Sequence, residues 1–556
     1  MLRRLQRRKE AAATALLLGP LLCLLGGPAR SQSDHADHLG TGTFGKVHFE
    51  TSCAPAVRDD FDRAIAMLHS FFYPETERAF RAVIERDPAC AMAYWGIAIS
   101  QRPNPLTAPF PPQLLQRGWD AIQQARTTGS PTPREHAWID ALAPFFESSE
   151  RVDQRTRTAS YERAMAALHA QFPDDTEAAV FYALALLEAV DLTDKSYSRQ
   201  LRAAAILERL QRNQPDHPGI THYIIHAYDY APIAAQGLPA ARKYAALAPS
   251  APHALHMPSH IFSTLGMWPE AIRANLAADE ANRRYAASTS PAAAATPARI
   301  AGRYHALDFL TNAYLQLGQD AHAKAIVDER NSADASIAGG SITAHTGFAA
   351  IPVRYALERQ AWTEAAALQP MATQFKQADA IIWFARALGA ARLGNAAAAR
   401  ESLGELTRIT RELGDAGDPY WAEQVGIQEA AASAWIVLAE GDQARAVTQM
   451  TSAADREDLT EKHVAMENRL SPMRELLGEL LLEADEPDRA LREFERSLTN
   501  VPGRFRSIAG AATAAAAADK NRIAAKYYRE LLTLGETGDG DRPALQAARA
   551  FLGRAE

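Results

Sequence analysis

Cysteine is scarce: the chain has three in 556 residues, and Cys23 lies inside an apolar N-terminal run. So low a content excludes a small fold built on disulfides. Beyond residue 31 no apolar run approaches the length of about 20 residues that crosses a bilayer, which excludes a polytopic membrane protein. Surplus positive charge is also missing. The net charge of −7 includes six Lys/Arg and one acid, Glu10, in residues 1–31; without them 53 Lys+Arg face 65 Asp+Glu, a net −12. Nucleic-acid binding needs clustered cations to neutralise phosphates, so that class is set aside. Alternating β-branched runs with turn punctuation do not recur, and there is no Ser/His/Asp elbow or cysteine nucleophile. GTGTFG (40–45) lacks the Walker spacing and a preceding strand. A content of 47% hydrophobic and 22% charged residues is that of an ordinary folded chain.

The N-terminus reads as an address. MLRRLQRRKE is basic, AAATALLLGPLLCLLGG is apolar, and Ala29-Arg30-Ser31 fits a small-x-small cleavage site, which predicts a secretory signal peptide over residues 1–31. The apolar run, about 17 residues, is at the lower limit of a membrane span, so a retained anchor is the alternative. Leu22 before Cys23 argues against lipidation. Residues 32–50, with HADHLGTGTFGKVHF, read as a flexible leader. The expected location is periplasmic or secreted, with no membrane span after cleavage.

A 34-residue period organises the rest. Ala490, Phe494 and Leu498 recur as Ala524, Tyr528 and Leu532. Ala203, Leu207, Leu210 and Pro215 take the same positions upstream, as do Tyr73, Phe80, Val83 and Pro88, and Leu265-Gly266 and Leu317-Gly318 mark turn ends. Small Ala490 allows two helices to approach, and Phe494 fills the gap beside it. Over 51–556 the chain resembles the tetratricopeptide-repeat family. The resemblance implies an all-α fold, a TPR-like α-solenoid in which helical hairpins stack into a right-handed superhelix with a concave groove. Pro/Gly-rich breaks at 104–113, 127–133, 288–297 and 337–341 read as loops. In such stacking Cys53 precedes one first helix and Cys90 opens the next, which brings their N-terminal ends together and makes a Cys53–Cys90 disulfide reasonable. The alternative is two separate buried thiols.

The 16 histidines are unevenly placed. In GITHYIIHAYDY, His222 and His226 share a helical face with Asp229. In APHALHMPSHIFSTLGMW, His253, His256 and His260 take matching positions one repeat later, and in RYHALDFLTNAYLQLG, His305 and Asp308 echo them. Two His at i, i+4 are a common way to hold a divalent transition metal, with carboxylates completing the shell. Pairs on adjacent parallel helices would converge on one ion or two. No Glu lies between the paired histidines as in a zincin helix, so no protease is inferred. Tyr223, Tyr228, Phe262 and Trp268 read as packing residues, and so does His69. Glu461 and His463 precede a repeat helix and lie within reach of the groove.

VHFETSCAPAV, LHSFFYPETERAF, DPACAMAYWGIA, HMPSHIFSTLGMW and FRSIAGAATAA together look like a group of exported bacterial tetratricopeptide proteins. That likeness implies export, the repeat fold and weight on the HMPSH segment, and names no substrate. Two functions follow as expectations. One is an exported binding scaffold whose groove histidines contact a peptide or protein partner. The other is a metalloprotein or metal-dependent enzyme that uses these histidines as ligands and acts on a small molecule at the metal. Catalysis itself is left open.

Overall fold

The computed structural model describes residues 42–288, 297–333, 340–539 and 542–555. Residues 1–31, expected to be a signal peptide, His35 and His38 of the expected leader, and the Pro/Ala-rich stretch 289–296 lie outside them.

Among the described residues every regular element is helical, and long helices alternate between two roles. Helices such as Thr176–Glu188, Pro218–Tyr228 and Ile342–Glu358 are apolar around most of their circumference and buried along most of their length. Those that follow them bury one stripe: Pro487–Asn500 buries Ala490, Leu491, Phe494 and Ser497 and leaves its charged residues outside. Each helix packs on the next, and inner helices also touch the next inner helix, as Ile342–Glu358 does with Lys376–Arg392 and Lys376–Arg392 with Pro419–Ala439. This is the stacking of a TPR-like α-solenoid. None of the described helices is long and apolar enough to cross a membrane.

Local chemistry sets the repeat. Phe494 lies against Gly478 and Gly510, where any Cβ would overlap its ring; Phe80 does the same to Gly96. Gly510 and Gly96 each stand sixteen residues after their phenylalanine, and Gly478 sixteen before Phe494. Turns after inner helices put one residue at positive φ, with Gly266 at 70°, Gly318 at 68°, Gly394 at 72° and Gly441 at 93°. Glycine reaches that region without cost. In the first repeat the position is held by Phe71, at φ 54°, where a bulky residue pays strain of about 1–2 kcal/mol.

Two expectations are corrected. The part of the leader within the described residues, 42–50, is docked: Phe44 and Phe49 are buried. The Lys46 N–H donates to Asp216 O at 3.0 Å, and Phe49 sits among Phe61, Trp95 and Trp138. Two large aromatic rings offset the entropy of ordering this stretch. The concave side, in turn, is not an open groove. The irregular segment 459–472 crosses it, with Thr346 Oγ1 donating to Ala465 O at 3.0 Å and Arg354 Nη2 to Asn468 O at 3.0 Å. The C-terminal repeats also fold back on the middle ones: Trp268 Nε1 donates to Gly503 O at 2.7 Å, and Phe505 N to Gln316 Oε1 at 2.9 Å. Arg504, buried, is held there by Glu358 and Glu475.

At the other end Cys53 and Cys90 form a disulfide with Cα atoms 4.8 Å apart, tying the entry of the first repeat to that of the second.

Candidate metal centre

Six of the eight candidate metal residues meet in one buried cluster. His222 and His226 project from Pro218–Tyr228. The next inner element runs as two short helices, Pro252–His256 and Pro258–Thr264, because Pro258 has no N–H to continue the first. Met257 between them keeps helical dihedrals, so His256 and His260 still face the same way. His305 comes from Pro297–Gln316.

The grouping differs from the sequence pairing. His253 leaves its own helix partners and joins His222 and His226, while His305 completes His256 and His260. Within each triad the nearest ligand atoms all lie within 4.8 Å of one another. In the first, His222 Nε2 is 3.1 Å from His226 Nε2 and 3.2 Å from His253 Nε2. In the second, His256 Nε2 is 3.1 Å from His260 Nε2. The triads abut, with ring centroids 5.9 Å apart for His226 and His260 and 6.1 Å for His253 and His256. Each is backed by one phenylalanine. Phe71 lies 4.5, 5.9 and 5.3 Å from the rings of His222, His226 and His253, and Phe309 lies 4.7, 4.8 and 5.1 Å from those of His256, His260 and His305. The strained backbone at Phe71 thus places the ring that walls the first triad.

The outer nitrogens determine what the inner ones can be. His222 Nδ1 donates to His69 O at 2.6 Å, His256 Nδ1 to Asn275 Oδ1 at 2.7 Å, and His260 Nδ1 to Asp229 Oδ2 at 2.8 Å. Asn275 presents its oxygen because its Nδ2 donates to Ala271 O. A neutral imidazole with Nδ1 protonated carries a lone pair on Nε2. Two such lone pairs face each other between His256 and His260, and neither has a hydrogen to give. A shared proton is disfavoured: burial pushes His256 down to about 4, and burial together with neighbouring rings holds His222, His226, His253, His260 and His305 well below the usual histidine range. His305 Nδ1 is buried with no hydrogen-bond partner. Metal–nitrogen bonds of about 2.0–2.1 Å place two nitrogens of one shell about 3.0–3.4 Å apart, which is the separation seen here.

The two carboxylates expected in the shell are elsewhere. Asp229 stands behind His260, where its Oδ2 also takes Lys462 Nζ at 2.8 Å and its Oδ1 takes Thr264 Oγ1 at 3.3 Å. Asp308 is withdrawn altogether, paired with the buried Arg354 at 2.6 Å, because a fully buried carboxylate without a cation is costly. A cleft of about 350 Å³ is lined by Asp229, Thr264 and Lys462 together with Tyr197 and Tyr230.

Two further groups have metal-like geometry, and both are satisfied without an ion. Cys53 and Cys90, near Asp87, are joined to each other. His69 Nε2 and His217 Nε2 lie 2.8 and 2.7 Å from the two oxygens of Glu177. His217 Nδ1 accepts from Ile220 N, so its Nε2–H donates to the carboxylate. Burial alone would raise Glu177, but the two imidazoles hold it far below the carboxylate range. Since His69 O also anchors His222, this group braces the first triad.

Sequence reasoning missed these supports. His69 read as packing, and nothing marked Glu177, Phe309, Asn275 or Lys462, which come from different elements or loops. Glu461 and His463 do not reach the triads: Glu461 binds Lys195 and Tyr197, and His463 packs on Tyr420 and Trp421. Tyr228 donates to Glu208 at 2.8 Å and, with Tyr223, Phe262 and Trp268, is buried as packing.

No family model matches the chain, and no curated protein matches it. A solved structure titled "Structure of Naa15/Naa10 bound to HypK-THB" aligns at 11% identity over 89% of this chain and 73% of that one, with a TM-score of 0.20. So low a score carries no argument about this chain.

Proposed function

We propose that the chain is a metalloprotein whose function resides in a buried pair of tri-histidine sites, His222/His226/His253 and His256/His260/His305, each holding one transition-metal ion. The carrying observation is the 3.1 Å approach of His256 Nε2 to His260 Nε2 while both Nδ1 atoms are committed to acceptors. A cation between two lone pairs turns that repulsion into binding. An all-imidazole shell suits zinc, copper, iron or nickel and disfavours magnesium or calcium. The braced outer nitrogens fix ring orientation and raise ligand basicity.

Burial weighs against the alternative of groove histidines contacting a peptide. Five of the six rings are nearly inaccessible and His253 is half-buried, so a polypeptide has almost no ring surface to touch. Export belongs to the same proposal. It rests on the basic-apolar N-terminus and fits the Cys53–Cys90 disulfide, which persists in an oxidising compartment.

Elemental analysis of the untagged, full-length chain tests the reading. Two transition-metal equivalents are expected, falling to about one in His260→Ala with circular dichroism unchanged. A wild-type chain that stays metal-free after incubation with zinc, copper and iron, and whose melting temperature ignores them, would overturn it.

A further inference from the structure

Beside the second triad lies a cleft that shares two of its supporting residues. Resting on the proposed metal-binding reading, we infer that this cleft, lined by Asp229, Thr264 and Lys462, binds a small oxyanion, a phosphate or a carboxylate. Its occupancy is coupled to metal at His256, His260 and His305 through the Lys462–Asp229 pair.

Charge calls for such an anion. The three donors are neutral imidazoles, so a divalent ion brings two positive charges among rings that are almost wholly buried. Burying unpaired charge is strongly unfavourable. Asp229 is the one carboxylate hydrogen-bonded to any of the six triad rings among the described residues, and Lys462 Nζ, at 2.8 Å, cancels it. An anion from outside the chain supplies the missing negative charge.

A shared atom links the two sites. His260 Nδ1 and Lys462 Nζ both donate to Asp229 Oδ2, each at 2.8 Å, and so compete for it. A metal ion on His260 Nε2 polarises the Nδ1–H and strengthens its bond to Asp229, which loosens Lys462. An anion that accepts from Lys462 acts in the same direction and leaves Asp229 to His260 alone. Lys462 also bears on the triad directly. After burial, its charge is among those that hold His226, His256, His260 and His305 below the usual histidine range. A cation that opposes a proton on these rings opposes a metal ion there too, and an anion beside it lifts that opposition.

The cleft has the size and the donors for this ligand. Its volume of about 350 Å³ lies at the lower end of small-molecule sites. The other carboxylates in its lining are committed: Glu461 takes Lys195 and Tyr197, Asp458 takes Arg474 and Arg496, and Glu457 takes the Met473 N–H. An ammonium carries three N–H groups, and Asp229 takes one from Lys462. Lys195, 40% exposed, adds a second cation to the same lining.

The test titrates inorganic phosphate, and separately succinate, into the full-length chain by calorimetry, once metal-free and once loaded with zinc, in Tris chloride at matched ionic strength. The oxyanion is expected to bind about tenfold more tightly to the loaded chain and to raise the affinity of one of the two zinc equivalents by the same factor, since coupling is reciprocal. A response to phosphate alone or to succinate alone supports the site and identifies its oxyanion. Lys462→Met should abolish oxyanion binding; binding that persists there would put the anion on the metal and overturn the cleft assignment. Asp229→Asn releases Lys462, so without zinc it should bind the oxyanion as tightly as loaded wild type does, and zinc should no longer change that affinity. If circular dichroism shows the methionine variant unfolded, wild type and the asparagine variant decide. Equal oxyanion affinity with and without zinc, or no oxyanion bound to either form, would overturn the inference and leave the metal reading standing. No zinc bound at all would overturn both.

Discussion

His256 and His260 point their Nε2 atoms at each other across 3.1 Å while Asn275 and Asp229 hold the protons of both Nδ1 atoms. Two neutral rings so arranged have nothing to bond with. Their separation is that of two ligands on one ion, and His222, tied through Nδ1 to the backbone of His69, repeats the arrangement with His226. The whole functional account grows from these tautomers.

Because the triads draw on different helices, they should lose metal separately. His222→Ala and His305→Ala are each expected to remove about one equivalent and keep the other. Elemental analysis reads the stoichiometry. Saturating metal at a hundred times Kd should stabilise wild type by about 2.7 kcal/mol per site, and each variant by half the wild-type total in thermal unfolding.

Asp229 and Lys462 oppose each other electrostatically. Asp229→Asn removes the charge behind His260 and should weaken metal binding about 10–100-fold. Lys462→Met removes the competing cation and should hold or tighten it. Competition titration with a coloured chelator distinguishes the two, and equal losses in both would point to a merely structural pair.

How much of this was legible beforehand varies by level. The 34-residue period and the Phe494 position carried the repeat fold, since packing a large ring against Gly478 and Gly510 is written in residue size. The histidine positions were visible too, because i, i+4 spacing and repeat register are linear properties. Their sorting into triads was not. It depends on His253 swinging to the previous helix and on His305 crossing from the next, which is side-chain direction. Asp308 illustrates the same limit: its spacing matched His256, but the buried Arg354, 46 residues on, claims it. Closure of the groove by residues 459–472 was hidden because irregular segments have no period.

The packing at the C-terminal repeats is tight enough to measure. Gly510→Ala drives a Cβ into the Phe494 ring and should cost about 1–3 kcal/mol. Phe494→Ala empties the same space and should cost about 3–5 kcal/mol. Chemical denaturation of each variant provides the comparison, and neither should change metal stoichiometry.

His463 predicts an acid sensitivity that is independent of metal. Burial and the nearby Lys462 push it down to about 4, so between about pH 6.5 and 4 the unfolded chain binds a proton that the folded chain refuses. Stability is therefore full above the unfolded value and is lost as pH falls through this window. The shift sets a ceiling of about 3 kcal/mol; the partly exposed ring edge reduces this to about 1–3 kcal/mol. His463→Gln keeps an acceptor for the Ala465 N–H and should flatten the slope. Urea midpoints at pH 7 and pH 5 for the two proteins measure it.

Anomalous diffraction from crystals of the metal-loaded chain, collected at the absorption edge of the bound element, addresses the central claim most directly. The account predicts two peaks per chain, one within about 2.0–2.1 Å of nitrogens of His222, His226 and His253 and the other equally close to His256, His260 and His305. A cluster with neither peak, the metal lying instead at His69, Glu177 and His217 or on the surface, would contradict it.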